Sequence, residues 1–136
     1  MSKRNKRRGQ PPNPTDQTIP LRSIPEEGYP LLSFRHLQPQ FGAEKMSQRQ
    51  CSEFLIKWAK RSHYTWKELN IHKRHALGFE MLPRKRIKPK PSEFLQQDSY
   101  MVFRHEGNLP FVGFKAGDVF YVLWVEVKYG DLYDHG

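Results

Sequence analysis

Tyr100-Met-Val-Phe-Arg-His-Glu106, Leu109-Pro-Phe-Val-Gly-Phe-Lys115 and Val119-Phe-Tyr-Val-Leu-Trp-Val-Glu-Val127 are three β-rich runs separated by Gly107-Asn108 and Ala116-Gly117-Asp118. A two-residue Gly-Asn loop is a hairpin signal, because glycine reaches the positive φ such turns need. The stretch reads as an antiparallel meander. Lys128-Tyr-Gly-Asp131 then turns it into a fourth strand, Leu132-Tyr-Asp-His135. In the third run both alternating sets are apolar, which predicts a strand covered on both faces or central in the sheet. In the first, Met101, Phe103 and His105 share one face, and Tyr100, Val102, Arg104 and Glu106 the other. Lys115 shares its face with Leu109, Phe111 and Gly113. A glycine at 113 marks a bulge or a close approach by another backbone.

Upstream the period changes from two to that of a helix. Ser47 has the character of an N-cap, and Cys51, Phe54, Leu55, Trp58 and Ala59 follow at helical spacing, predicting a core-packing helix over 48–61. Thr65 and Glu68 form a capping box and Gly78 a stop, predicting a second helix over 66–77. Leu31-Leu-Ser-Phe-Arg-His-Leu37, bracketed by Pro30 and Pro39, reads as a first strand. The expected fold class is α+β: an N-terminal strand and two helices packed on a small C-terminal antiparallel meander. With helices covering one side, the other face is the expected platform for Arg104, Lys115, Tyr133 and His135.

Charge is distributed unevenly. The chain has 136 residues and a formal net charge of +9, a balance that draws polyanions. Arg84-Lys-Arg-Ile-Lys-Pro-Lys90 places five cations in seven residues. Pro83, Pro89 and Pro91 make it an extended loop, suited to following a phosphate backbone through Arg84, Lys85, Arg86, Lys88 and Lys90. Lys73 and Arg74 on the second helix are further nucleic-acid candidates. Residues 1–28, with a cationic tip from Lys3 to Arg8 and prolines at 11, 12, 14, 20 and 25, read as a disordered arm. Residues 29–136 read as one domain.

Several function classes lack their residues. Cys51 is the single cysteine, so neither an internal disulfide nor a cysteine-rich zinc site is expected. There is no HExxH pattern, Gly-rich phosphate loop or nucleophile elbow, and no metal or cofactor is expected. No apolar run approaches the length of a membrane span, and no hydrophobic signal core follows the basic start. A cytoplasmic protein without a membrane partner is the expectation.

Strand, helical pair, basic loop and terminal meander resemble the RelE/ParE-like superfamily of small bacterial toxins over residues 31–136. The matching pieces are Gly113-Phe-Lys-Ala-Gly-Asp-Val-Phe-Tyr-Val-Leu-Trp and the polar terminus Leu-Tyr-Asp-His135. Lys115 stands where that family usually carries arginine. The resemblance implies an endoribonuclease, acting on RNA or ribosome-bound messenger RNA and neutralised by a protein antitoxin. By the resemblance, a 2′-hydroxyl attacks its adjacent phosphate without a metal. That chemistry needs an acid or base and cations for the developing phosphorane charge. His135 is the candidate acid or base and Glu106 or His105 its partner. Arg104 and Lys115 would hold phosphate, and Tyr133 would stack on a base or orient the scissile group. A non-catalytic RNA- or DNA-binding module using the same cationic sheet and loop stays open as the alternative.

Overall fold

The computed structural model describes residues 28–71 and 77–135. The expected N-terminal arm, apart from Gly28, and Lys73 and Arg74 lie outside the described residues. Among those described, the elements in chain order are β1 (Leu31–Ser33), α1 (Gln48–Arg61), α2 (Trp66–Ile71), β2 (Glu80–Pro83), β3 (Ser99–Glu106), β4 (Leu109–Ala116) and β5 (Val119–Val125). The strands form one mixed sheet in the order β1-β5-β4-β3-β2. The expected α+β architecture holds, with the meander β3-β4-β5 at its centre. β1 runs parallel to β5, Leu31 opposite Val119, and β2 lies antiparallel to β3.

The helix α1 begins where its cap dictates. Ser47 Oγ accepts from Gln50 N at 3.1 Å and the Gln50 side chain accepts from Ser47 N at 3.0 Å, closing a capping box. Phe54, Trp58 and Arg61 face the sheet and are buried, while Cys51, Leu55 and Ala59 are exposed. The buried stripe is therefore narrower than the sequence suggests. Arg61 completes it because its guanidinium lies over aromatic rings, 4.8 Å from the Phe103 centroid.

Aromatic rings fill the helix side of the sheet. Phe54 and Phe111 lie 4.4 Å apart, Phe103 stacks on Phe111 at 5.5 Å, and Trp58 meets Phe103 edge-on at 5.5 Å. Pairs of this kind are worth about 0.5–1.5 kcal/mol beyond their burial.

The opposite face is covered as well. Tyr100, Val102, Val112, Leu123 and Trp124 pack beneath Ile87 and Leu95 of the basic loop region and beneath Leu132 and Tyr133 of the C-terminal segment. The open platform expected on this face is absent, because chain outside the helices supplies enough apolar side chains to close it.

Other expectations are corrected at the edges. The first strand stops at Ser33, where the chain enters a turn closed by Leu37 N–H on Phe34 O at 3.1 Å. Leu132–His135 is not a strand: the Leu132 N–H donates to the Glu126 carboxylate at 2.8 Å and its carbonyl accepts from Lys88 N–H at 2.7 Å. The loop begins with a 3-10 turn at Arg84–Arg86. Gly113 sits where the β4–β5 register shifts, and a Cβ there would collide with the carbonyl oxygen of Tyr121. The expected bulge and the expected close approach coincide.

Candidate active site

The polar residues of the meander divide between two faces. Arg104 lies on the loop-covered side, where Nη1 donates to Tyr133 Oη at 3.0 Å and Nη2 to Glu80 Oε2 at 2.6 Å. Lys115 lies on the helix side with Nζ 5.3 Å from the Trp66 ring centroid. Glu106, at the end of β3, pairs with Arg49 of α1 at 2.9 Å. The structure thus brings Arg104 and Tyr133 together, and leaves Lys115 and Glu106 elsewhere.

His135 joins the first group. Its Nε2 lies 2.7 Å from Glu126 Oε1, and its ring is sandwiched by Tyr129 at 3.9 Å and Tyr133 at 4.3 Å between centroids. A carboxylate oxygen accepts, so Nε2 is the donor and Nδ1 is left for other work. Among the described residues Nδ1 makes no hydrogen bond.

Glu126 is fixed from three directions. It is fully buried, just past the end of β5, with Oε2 accepting from Leu132 N. Its backbone N–H donates to Pro110 O at 2.9 Å. Its carbonyl accepts from His105 Nε2 at 2.7 Å on the helix side. Both carboxylate oxygens are therefore satisfied, as a charge removed from water requires.

His105 is committed to that supporting role. Burial among Phe54 and Phe111 lowers its pKa, an effect only partly opposed by the hydrogen bond to Glu126. Its Nδ1 is sealed without a partner. Burial also raises the pKa of the Tyr133 phenol, with Arg104 pulling it back down. Arg104 is 8% exposed, so it orients Tyr133 rather than facing solvent.

The basic loop borders this group. Arg86 Nη2 donates to Asp134 O at 3.2 Å, Lys88 Nζ to Gly130 O at 2.7 Å, and Lys88 pairs with the Asp134 carboxylate at 3.3 Å. That last pair is exposed and contributes little to stability. Lys85 and Lys90 make no ion pair among the described residues. An open depression of about 590 Å³ is lined by Tyr129, Gly130, Asp134 and His135. A second, of about 290 Å³, is lined by Lys85, Arg86, Ile87, Lys88 and Asp134. Asp134 is common to both, so His135 and the loop cations border adjoining surfaces.

Sequence reasoning missed Glu126, Glu80 and Tyr129. Glu126 carried a signal: it is the lone charge in the apolar run from Val119 to Val127. Glu80 and Tyr129 carried none, since only tertiary contact places them. Among the described residues there is no His/Cys/Asp/Glu cluster suited to a metal, and no helix long and apolar enough to cross a membrane.

No family model, curated protein or solved structure matches the chain.

Proposed function

We propose that the protein is an RNA-directed endoribonuclease in which His135 transfers the proton and Glu126 orients it. One observation carries the reading: an imidazole held through Nε2 by a buried carboxylate, with Nδ1 uncommitted, beside a one-signed basic loop. A carboxylate behind a histidine fixes its tautomer and stabilises the imidazolium that forms.

The reaction balances without a metal. Nδ1 takes the proton of an RNA 2′-hydroxyl as that oxygen attacks the adjacent phosphorus. The bond from phosphorus to the 5′-oxygen breaks, and the leaving oxygen is protonated by solvent. The products are a 2′,3′-cyclic phosphate and a 5′-hydroxyl. Lys85, Arg86 and Lys88 hold the phosphate and offset the charge that builds on it. Arg104 acts through Tyr133, which in turn supports the imidazole.

Unchecked cleavage of messenger RNA arrests growth, so this reading carries with it a neutralising protein partner, as in a toxin–antitoxin pair. Inducing the gene in a bacterium tests it. Growth arrest with RNA fragmentation, both lost in His135→Ala, supports the nuclease.

A second reading has its own observation. The His135 side chain is only 6% exposed, so Tyr129 has to swing aside before an RNA hydroxyl reaches it. If Tyr129 stays in place, the Glu126 pair serves only to pin the C-terminal segment. The basic loop then belongs to a non-catalytic RNA-binding module. Intact RNA together with salt-sensitive binding supports that reading.

A further inference from the structure

A third depression of about 500 Å³ lies at the end of the basic loop, bordered by Gln40, Phe41, Lys88, Lys90, Trp124 and Asp131. Its composition is unlike that of a plain surface hollow. Trp124 forms a buried floor at 1% exposure and the half-buried Phe41 a wall. Lys90 is exposed and makes no ion pair among the described residues. Asp131 is exposed and its carboxylate is likewise unpaired.

The borders of this hollow adjoin those of the His135 depression through neighbouring residues. Asp131 follows Gly130, which lines the His135 depression, and Lys88 both borders the hollow and donates to Gly130 O. A chain of phosphates laid along the loop therefore passes from one to the other. The volume suits one nucleotide rather than a helix or a folded partner.

We propose that this hollow is a nucleotide subsite that reads the base next to the phosphate attacked at His135. The assignment rests on the RNA-directed reading above. Lys88 and Lys90 take the phosphates and the Phe41 ring packs on the base, since every base offers a π-face. Asp131 supplies the discrimination. A carboxylate accepts from exocyclic amino groups, as on cytosine or adenine; uracil has no amino group, and its single N3–H is flanked by two carbonyl oxygens that repel the carboxylate. Gln40, an exposed amide at the mouth, contributes both a donor and an acceptor. The subsite prefers adenine or cytosine and disfavours uracil.

Fluorescence anisotropy with short labelled homopolymers of A, C and U, at fixed low salt, tests this. The full chain carries His135→Gln, which keeps a donor for Glu126 but no base, so that no RNA is cut. The expected result is about tenfold tighter binding of A or C than of U, the scale of one good base contact. Asp131→Asn should bring U to within about twofold of the others while circular dichroism stays unchanged. Phe41 contributes to packing, so Gln40→Ala serves as the exposed second variant, weakening A and C more than U. Equal affinities for all three homopolymers, or a preference that survives Asp131→Asn, overturn the subsite. The two proposals fail separately. Base-selective binding without cleavage by the natural chain removes the nuclease and keeps the subsite. Cleavage indifferent to the neighbouring base removes the subsite and keeps the nuclease.

Discussion

The imidazole of His135 donates from Nε2 to the Glu126 carboxylate at 2.7 Å, and neither side chain exceeds 6% exposure. That contact ties the end of the C-terminal segment to the end of β5. Glu126 also holds the Leu132 N–H, so one carboxylate supports both ends of the segment that seals the sheet. The site and the closure of the fold are built from the same groups.

Stability should therefore depend on Glu126. Removing one partner of a buried pair leaves the other desolvated and unpaired, a loss of roughly 3–5 kcal/mol. Urea denaturation of Glu126→Ala should show a fall of that size, with Glu126→Gln losing less because it keeps an acceptor for Leu132 N–H. A loss below about 1 kcal/mol in Glu126→Ala, within the range of an exposed pair, contradicts a structural pair.

Gly113 offers a test of the fold alone. Any Cβ there meets the backbone of Tyr121, which cannot rotate away as a flexible side chain could. Gly113→Ala should destabilise by at least the 1–3 kcal/mol or so typical of overpacking. The midpoint of denaturation should move without a change in slope. An unchanged midpoint means that the β4–β5 register differs from that described.

How far the sequence could be read is decided by two register shifts. Strand and helix periods, the Ser47 cap and Gly113 all carried local signals, and the α+β fold followed from them. The side of Lys115 relative to Arg104 did not. Glu106 pairs with Leu109, but the shift between Arg104 and Glu106 puts Phe103, not Arg104, on the side of Phe111. One extra residue in a strand exchanges its two faces. Lys115, two residues on from Gly113, therefore ends up opposite Arg104 across the sheet. The second shift places Leu123 and Trp124 together on the loop-covered side, while Phe120, Val122 and Val125 pack on the helix side, so the strand is apolar on both sets because both its faces are covered. Nothing in the chain marked His105 as the point of slippage. The loop-covered face was illegible for another reason: Ile87, Leu95 and Leu132 are isolated apolar residues in polar segments, without a period.

Acid should weaken the fold through His105. Burial lowers its pKa in the folded chain. Above about pH 6.5 the imidazole is neutral in both folded and unfolded chains, and its full contribution is present. Below that, the unfolded chain takes up a proton that the folded one resists. Stability then falls until the pH passes the lower folded value. Denaturation midpoints of the natural chain should decline as the pH falls below about 6.5, and His105→Gln should flatten the decline relative to its own neutral value. A parallel decline in both proteins places the acid sensitivity elsewhere.

The two faces predict unequal roles for the lysines. Each phosphate contact on a single strand contributes about 0.7 to the slope of log affinity against log salt. Lys85→Ala and Lys90→Ala should each lower the slope by about that amount. Lys115→Ala, on the helix side, should leave it unchanged and cost only about 0.5–1 kcal/mol of stability from its contact with Trp66. Equal slope losses at all three positions contradict a binding surface centred on the loop.

Cleavage of a labelled RNA by the purified chain, with the ends of the products identified by mass, bears most directly on His135. The natural chain should yield 2′,3′-cyclic phosphate and 5′-hydroxyl ends, and His135→Ala should slow the reaction by about 10²-fold or more. RNA left whole by the natural chain, or cut equally fast by His135→Ala, contradicts a proton-transfer role for this histidine.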